Sequence, residues 1–245
     1  MDVGRFLPLK PGNLELIELI RAEIGKRGPV SFAWFMEQAL YQPQHGYYSS
    51  GRAAIGRSGD YFTNVSVGGL FGKLLAAQFA EMWNRLGQID DFTIVEQGAH
   101  DGQFAHDVLQ AIRESSGDFF SKVRYRMIEP ITVLEKRQRT TLASFREKVG
   151  WCRSIGALEP FTGVHFSNEL LDAMPVHLIS RSALAAGSEP AGERWRERLV
   201  DWQNGGFIFT DGSITDPNLE AHVRRLPSLA AGYETEINLN VTDWL

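Results

Sequence analysis

Three apolar runs in this chain end in residues able to do chemistry. The first is IVEQGAHDGQ, residues 94–103, in which Glu96 is followed by Gly98, Ala99, His100, Asp101 and Gly102. The second, VRYRMI, closes on Glu129, about thirty residues further on. The third, GVHFS, runs into Asn168 and Glu169. Glycines between a strand and a helix let the backbone approach a ligand without a Cβ clash and aim helix N-terminal N–H groups at it. A carboxylate at the end of the next strand accepts from both vicinal hydroxyls of a ribose. The spacing predicts a nucleotide-type cofactor site, while a strand–glycine–helix turn also serves as a plain tight connection.

For these residues to meet, the chain has to supply parallel strands. Phe92, Thr93, Ile94 and Val95 have the content of a buried strand, and Phe104, Val108 and Leu109 recur with helical spacing after Gln103. Residues 123–129 predict a second strand, Pro130 opens a helix over 131–145, and residues 163–167 predict a further strand. Strands alternating with helices predict a parallel sheet with right-handed crossovers covering both faces, and ligands sit at the carboxyl ends of such strands. Upstream, Asn13 caps a helix whose pattern Gly25 and Gly28 end, and Ser31 starts a second helix over 32–40. Residues 49–59 lack periodicity, as a loop does. Ser66 opens a long amphipathic helix through Leu70, Phe71, Leu74, Leu75, Phe79, Met82 and Trp83, an apolar stripe expected to pack in the core. Downstream, residues 195–202 and 207–210, joined through Asn204-Gly205-Gly206, read as a β-hairpin; residues 183–193 read as a surface loop, and Asp216 caps a last helix.

Composition narrows the classes. Lys+Arg 25 against Asp+Glu 30 gives a formal net charge of -5, which offers no global attraction to a phosphate backbone, so no nucleic-acid partner is expected. A single cysteine, Cys152, excludes an intramolecular disulfide and reads as a small, at least half-buried apolar residue. The N-terminus lacks the pattern of a secretory signal and no apolar run is long enough to span a bilayer, so the expectation is a cytoplasmic protein with no membrane partner. His45 and His100 have no ligand-spaced partners, so no metal site is expected. The residues leave oligomeric state open.

The turn also selects among cofactors. Asp101 would set a negative charge where a dinucleotide pyrophosphate belongs, which disfavours an NAD-type ligand. A cofactor with a ribose, no phosphate and a cationic centre suits these acids better, as S-adenosyl-L-methionine does.

IVEQGAHDGQ resembles the acid-x-Gly-x-Gly-x-Gly motif of class I S-adenosylmethionine-dependent methyltransferases, with Gly98 and Gly102 as first and third glycines and His100 in place of the second. FMEQALYQPQHGYY (35–48), GDYFTN (59–64), LFGKLLA (70–76), YRMIEP (125–130) and NELLDAMPV (168–176) together are similar to the MidA family, relatives of a mitochondrial methyltransferase that assists assembly of respiratory complex I. The resemblance implies an α/β, Rossmann-like class I methyltransferase sheet with helices on both faces. It implies a helical N-terminal segment over 1–90 covering the cofactor site, and a core over 91–245 with a hairpin insertion at 194–211. Family members continue beyond the equivalent of Leu245, so the last strands of their seven-stranded sheet are expected to be missing here.

By position, the resemblance assigns S-adenosyl-L-methionine to Thr63, Glu96, Gly98, Ala99, His100, Gly102, Glu129 and Asn168, with Glu129 on the ribose hydroxyls. It implies a protein substrate methylated on arginine, with Asp60, Glu169 and Asp172 as the acids that would hold a guanidinium. Read from the residues alone, Asp60 serves equally as a turn or helix cap, and Glu169 and Asp172 as braces of a loop. The alternative function is an inactive or weakly active scaffold of the same fold that binds a partner protein during assembly.

Overall fold

The structure, a computed structural model, describes residues 12–51, 65, 68–181, 195–227 and 229–241. In chain order its main elements are α1 (Leu14–Arg27), β1 (Val30–Ser31), α2 (Phe32–Tyr41), α3 (Leu70–Arg85), β2 (Phe92–Gln97), α4 (Gln103–Ser115), α5 (Gly117–Lys122), β3 (Val123–Ile128), α6 (Thr132–Thr141), β4 (Val149–Cys152), β5 (Gly163–Ser167), β6 (His177–Arg181), β7 (Trp195–Gln203), β8 (Gly206–Gly212), α7 (Pro217–Val223) and β9 (Glu234–Ile237). They form two compact units: Tyr48–Ala173, and Met1–Tyr47 together with Met174–Leu245.

The first unit is α/β. Its four strands run parallel in the order β4-β3-β2-β5. Phe92 and Ile94 on β2, and Val123, Tyr125 and Met127 on β3, face a core shared with Phe79 and Trp83 of α3, Phe104, Val108 and Leu109 of α4, and Phe119 of α5. Aromatic rings knit this layer: Phe104 stacks on Phe166 at 4.5 Å and Trp83 on Phe119 at 4.9 Å between centroids. Thr93, Val95 and Ile128, on the opposite face, are buried as well. Burial on both faces is what a parallel sheet requires, and it explains the near-continuous apolar run of β2.

The second unit is built around antiparallel pairing, in a five-stranded sheet of order β1-β7-β6-β9 with β8 paired to β7. Asn13 Oδ1 accepts from the Leu16 N–H at 3.0 Å and Ser31 Oγ from the Trp34 N–H at 3.1 Å, so both helix starts expected from the sequence form. Leu16, Ile20 and Ile24 on one face of α1 bury with Val30 and Val200. Asp216 Oδ1 accepts from the Asn218 and Leu219 N–H groups and caps α7. Among the described residues, no helix is long and apolar enough to cross a membrane.

The units divide differently from the expected 1–90 and 91–245. Residues 70–85 belong with the parallel sheet because α3 lies against α4, where Gly72 leaves room for Asp107: a Cβ at Gly72 would stand 2.6 Å from the Asp107 Cβ. The hairpin is not an insertion into the parallel sheet. Its strand β7 pairs with β1 and β6 and lies at the centre of the second sheet. Local pattern identified the hairpin correctly; its partners lie far away in sequence. Short strands β4, β6 and β9 and helix α5 escaped the sequence reading, and the helix expected over 131–145 ends at Thr141 in favour of a 3-10 turn at Ala143–Phe145. The expected helix start at Ser66 and the loop over 183–193 lie outside the described residues, and the helix is described from Leu70. Phe71, Leu75, Phe79 and Trp83 pack in or against the core, whereas Leu70, Leu74 and Met82 of the expected stripe are exposed on another side of the helix.

Candidate active site at the carboxyl ends of the parallel strands

Register brings the three sequence-predicted corners together. Gln97 lies opposite Ile128 on β3 and Ser167 on β5, so Gly98, Glu129 and Asn168 all leave the sheet at one edge. The chain runs outward from β2 through β3 to β4 and then returns to place β5 on the other side of β2. That reversal of strand order opens the crevice in which α/β sheets hold ligands.

Between β2 and α4 the backbone takes positive φ at every second residue: Gly98 at 80°, His100 at 47° and Gly102 at 82°. Glycine at 98 and 102 avoids strain, and a Cβ would also meet the Leu170 Cδ1 at 3.1 Å and the Leu142 Cδ1 at 3.2 Å. His100 occupies the same left-handed region at the place of the missing middle glycine, a conformation histidine adopts more readily than most side chains. Ala99 is buried in the core.

Asp101 has a local task. Its Oδ1 accepts from the Gln103 N–H at 3.1 Å, and the His100 side chain beside it is the main cause of a carboxyl held below its usual range. The N-terminus of α4 thus already carries a carboxylate, which a pyrophosphate would have to displace. A dinucleotide is therefore disfavoured by geometry as well as by charge.

Two acids stand at the strand ends in different states of engagement. Glu96 is 4% exposed; its Oε2 accepts from the Tyr125 hydroxyl at 2.6 Å, and burial pushes its carboxyl up to about 7, against the lowering effect of that hydrogen bond. Glu129 is also 4% exposed, with Oε1 accepting from the Ile131 N–H at 2.9 Å and Oε2 from the Gln138 amide at 2.7 Å. Burial raises the Glu129 carboxyl too, opposed by these two donors. A carboxylate has about four lone-pair sites, so each oxygen of Glu129 keeps capacity for a ligand hydroxyl.

Two further polar atoms stand at the turn. Gln97 Oε1 and His100 Nε2, on either side of Gly98 and Ala99, are buried without a hydrogen-bond partner among the described residues. Buried polar atoms are ordinarily satisfied, and leaving one unmade costs about 1–3 kcal/mol. Gln97 was missed by the sequence reading: a glutamine at a strand end has no pattern, and only its unmet acceptor marks it.

On the β5 side, Asn168 is half-buried, Glu169 is exposed with a left-handed φ of 51°, and Asp172 is exposed in the 3-10 turn Leu171–Ala173. A non-glycine residue held at positive φ beside a strand end is a recurrent feature of functional sites. Asp60 and Thr63 lie outside the described residues. A cavity of about 570 Å³ opens in the antiparallel unit, lined in part by Arg27, Trp34, His177 and Glu197, but it contains none of the strand-end residues. Convergent chemistry, not cavity size, locates the site.

Comparison with known proteins agrees with this geometry. Residues 74–245 match a family described as "Putative S-adenosyl-L-methionine-dependent methyltransferase". The chain is 28% identical over 210 residues to the Drosophila melanogaster protein arginine methyltransferase NDUFAF7 homolog, mitochondrial, covering 78% of this chain and 45% of the relative. It is 26% identical over 202 residues to the human mitochondrial protein arginine methyltransferase NDUFAF7, covering 73% and 43%. The chain thus spans less than half the length of these relatives. A crystal structure from Burkholderia thailandensis, bound to S-adenosyl-homocysteine, matches with a TM-score of 0.77 at 29% identity, over 98% of this chain and 61% of that one. With the family match extending over more than half of its residues, on an α/β sheet whose strand ends carry the glycine turn and Glu129, the chain belongs to this methyltransferase family.

Proposed function

We propose that this chain binds S-adenosyl-L-methionine at the carboxyl ends of β2, β3 and β5 and methylates a protein side chain, an arginine. The observation that carries the reading is the pair of unsatisfied buried atoms, Gln97 Oε1 and His100 Nε2, flanking Gly98 at the end of β2, beside the strand end that leads into Glu129. Arginine methylation is the activity in the names of the relatives from fly and human. The residues fit this cofactor: Glu129 retains acceptor capacity for two ribose hydroxyls, Gly98 and Gly102 take the left-handed backbone of the turn without strain, and Asp101 guards the helix N-terminus against phosphate.

Bound cofactor would supply an electrophilic methyl group on a sulfonium. Glu129 holds the ribose, and Gln97 and His100 offer one acceptor and one imidazole nitrogen to the remaining polar groups of the ligand. Asn168 and Ala99 form its surroundings, and Glu96 tethers the end of β2 to β3 through Tyr125. Glu169 and Asp172 receive the guanidinium and orient one nitrogen toward the methyl carbon. Transfer makes a nitrogen–carbon bond as the carbon–sulfur bond breaks, with the electron pair staying on sulfur and a proton leaving the nitrogen.

Calorimetry with S-adenosyl-homocysteine tests the reading. Wild-type chain is expected to bind, and Glu129→Ala to lose about tenfold to a hundredfold in affinity while melting as a folded protein, as expected for a hydrogen bond to a charged group. Absence of binding by folded wild-type chain at millimolar ligand overturns it.

A further inference from the structure

Gln138, on α6, belongs to none of the motifs that drew attention to the site, yet it is fully buried and spends its entire amide there. Its Nε2 donates to Glu129 Oε2 at 2.7 Å and to the backbone carbonyl of His100 at 3.0 Å. Its Oε1 accepts from the indole N–H of Trp151 on β4 at 2.9 Å. An indole N–H can only donate, so Trp151 fixes which end of the amide is oxygen and turns the NH2 toward the acid and the glycine turn. The guanidinium of Arg139 lies over the Trp151 ring at 4.1 Å and backs the indole. The Gln138 stem also lies under the turn: a Cβ at Gly102 would stand 3.4 Å from its Cα and Cγ.

One side chain therefore fastens three segments that are separate in sequence: the turn after β2, the acid after β3 and the strand β4. Leucine could fill the volume but has no donor. Glutamate would set a second carboxylate against Glu129. We propose that Gln138 is a positioning residue of the cofactor site, holding the Glu129 carboxylate and the glycine turn at one fixed separation and keeping that acid ready to accept hydroxyls. The inference rests on the cofactor reading above, but the clamp is a property of the protein itself.

The groups around Glu129 give the clamp a pH signature. Glu135 on α6 raises its carboxyl, His100 in the turn lowers it, and the Ile131 N–H and the Gln138 amide lower it by direct hydrogen bonds against the dominant effect of burial. Removing the Gln138 donor leaves burial less opposed, so Glu129 takes up its proton at a higher pH and ceases to be a pure acceptor.

The test compares wild type, Gln138→Leu and the milder Trp151→Phe, which removes only the group that orients the amide. Affinity for S-adenosyl-homocysteine is measured by calorimetry from pH 5 to 8, and the Glu129 side-chain carboxyl resonance is titrated by NMR without ligand. Gln138→Leu is expected to bind about tenfold to a hundredfold more weakly at neutral pH, the range for losing a hydrogen bond to a charged group. Its affinity should begin to fall at a higher pH on acidification, and the Glu129 resonance should titrate upward. Trp151→Phe should move both in the same direction by less, and carries the test if Gln138→Leu does not fold. A general loosening of the fold would lower affinity too, but by wetting Glu129 it would move the carboxyl titration to lower pH, the opposite direction. Wild-type titration of Glu129 in the folded variants overturns the proposal. Absence of ligand binding by wild type overturns the cofactor reading instead, and the carboxyl titration still decides the role of Gln138.

Discussion

The two units of this chain solve the same packing problem in opposite ways, and the candidate cofactor site lies at the strand ends of the parallel one. In the parallel unit β2, β3 and β5 all end on one edge, so Gly98, Glu129 and Asn168 emerge side by side. In the antiparallel unit neighbouring strands point in opposite directions, and β6, β7 and β9 deliver their ends to alternate edges. Each unit also buries an acid. Glu96 is held by a phenol, Tyr125, under the glycine turn, whereas Glu197 is held by an imidazole, His177, with Nδ1 2.7 Å from Oε1. Strand direction, more than the supply of polar residues, decides where chemistry concentrates.

The most severe way to break this comparison is to separate the strands whose ends converge. A Cβ at Gly163, the first residue of β5, would stand 1.9 Å from the Thr93 carbonyl oxygen on β2. Gly163→Ala is expected to destabilise by on the order of 4 kcal/mol, in the range of severe core lesions, and an unchanged urea midpoint would show that β5 does not need this approach.

A somewhat smaller effect distinguishes the buried acid of the parallel unit. Below about pH 4.5 both folded and unfolded chains hold the Glu96 proton; between 4.5 and about 7 only the folded chain does. Its contribution is therefore fully present at low pH and is lost as pH rises through about 7. The difference between wild type and Glu96→Gln should change by about 3 kcal/mol across that window, with wild type losing ground as pH rises. Parallel unfolding curves for the two proteins at pH 5 and pH 8 would contradict the assignment.

The smallest effect sharpens the contrast from the other side. Gly205 in the β7–β8 turn has φ 81° and nothing within 4 Å of a Cβ built on it, so Gly205→Ala meets backbone strain alone. It should cost about 1 kcal/mol, seen as a lower melting temperature, with S-adenosyl-homocysteine affinity unchanged. At Gly98, a glycine with a comparable φ, a Cβ would meet the Leu170 Cδ1 at 3.1 Å, so a side chain there adds a packing clash to the strain.

The sequence by itself determined the local structures whose causes lie within a few residues. Asn13, Ser31 and Asp216 mark helix starts because a side-chain oxygen reaches an N–H two or three residues on. The strand–turn–helix at 92–115 and the acid closing β3 were legible because a buried parallel strand is a continuous apolar run that must end where the chain turns polar. Tertiary structure alone decided that β1 pairs with β7, across about 170 residues, and that α3 sides with the parallel sheet. It alone showed Gln97 by an unmet acceptor and Gln138 by three hydrogen bonds to three segments. A glutamine carries no periodicity and no charge, and its meaning lies wholly in which donors and acceptors the fold brings within 3 Å of its amide.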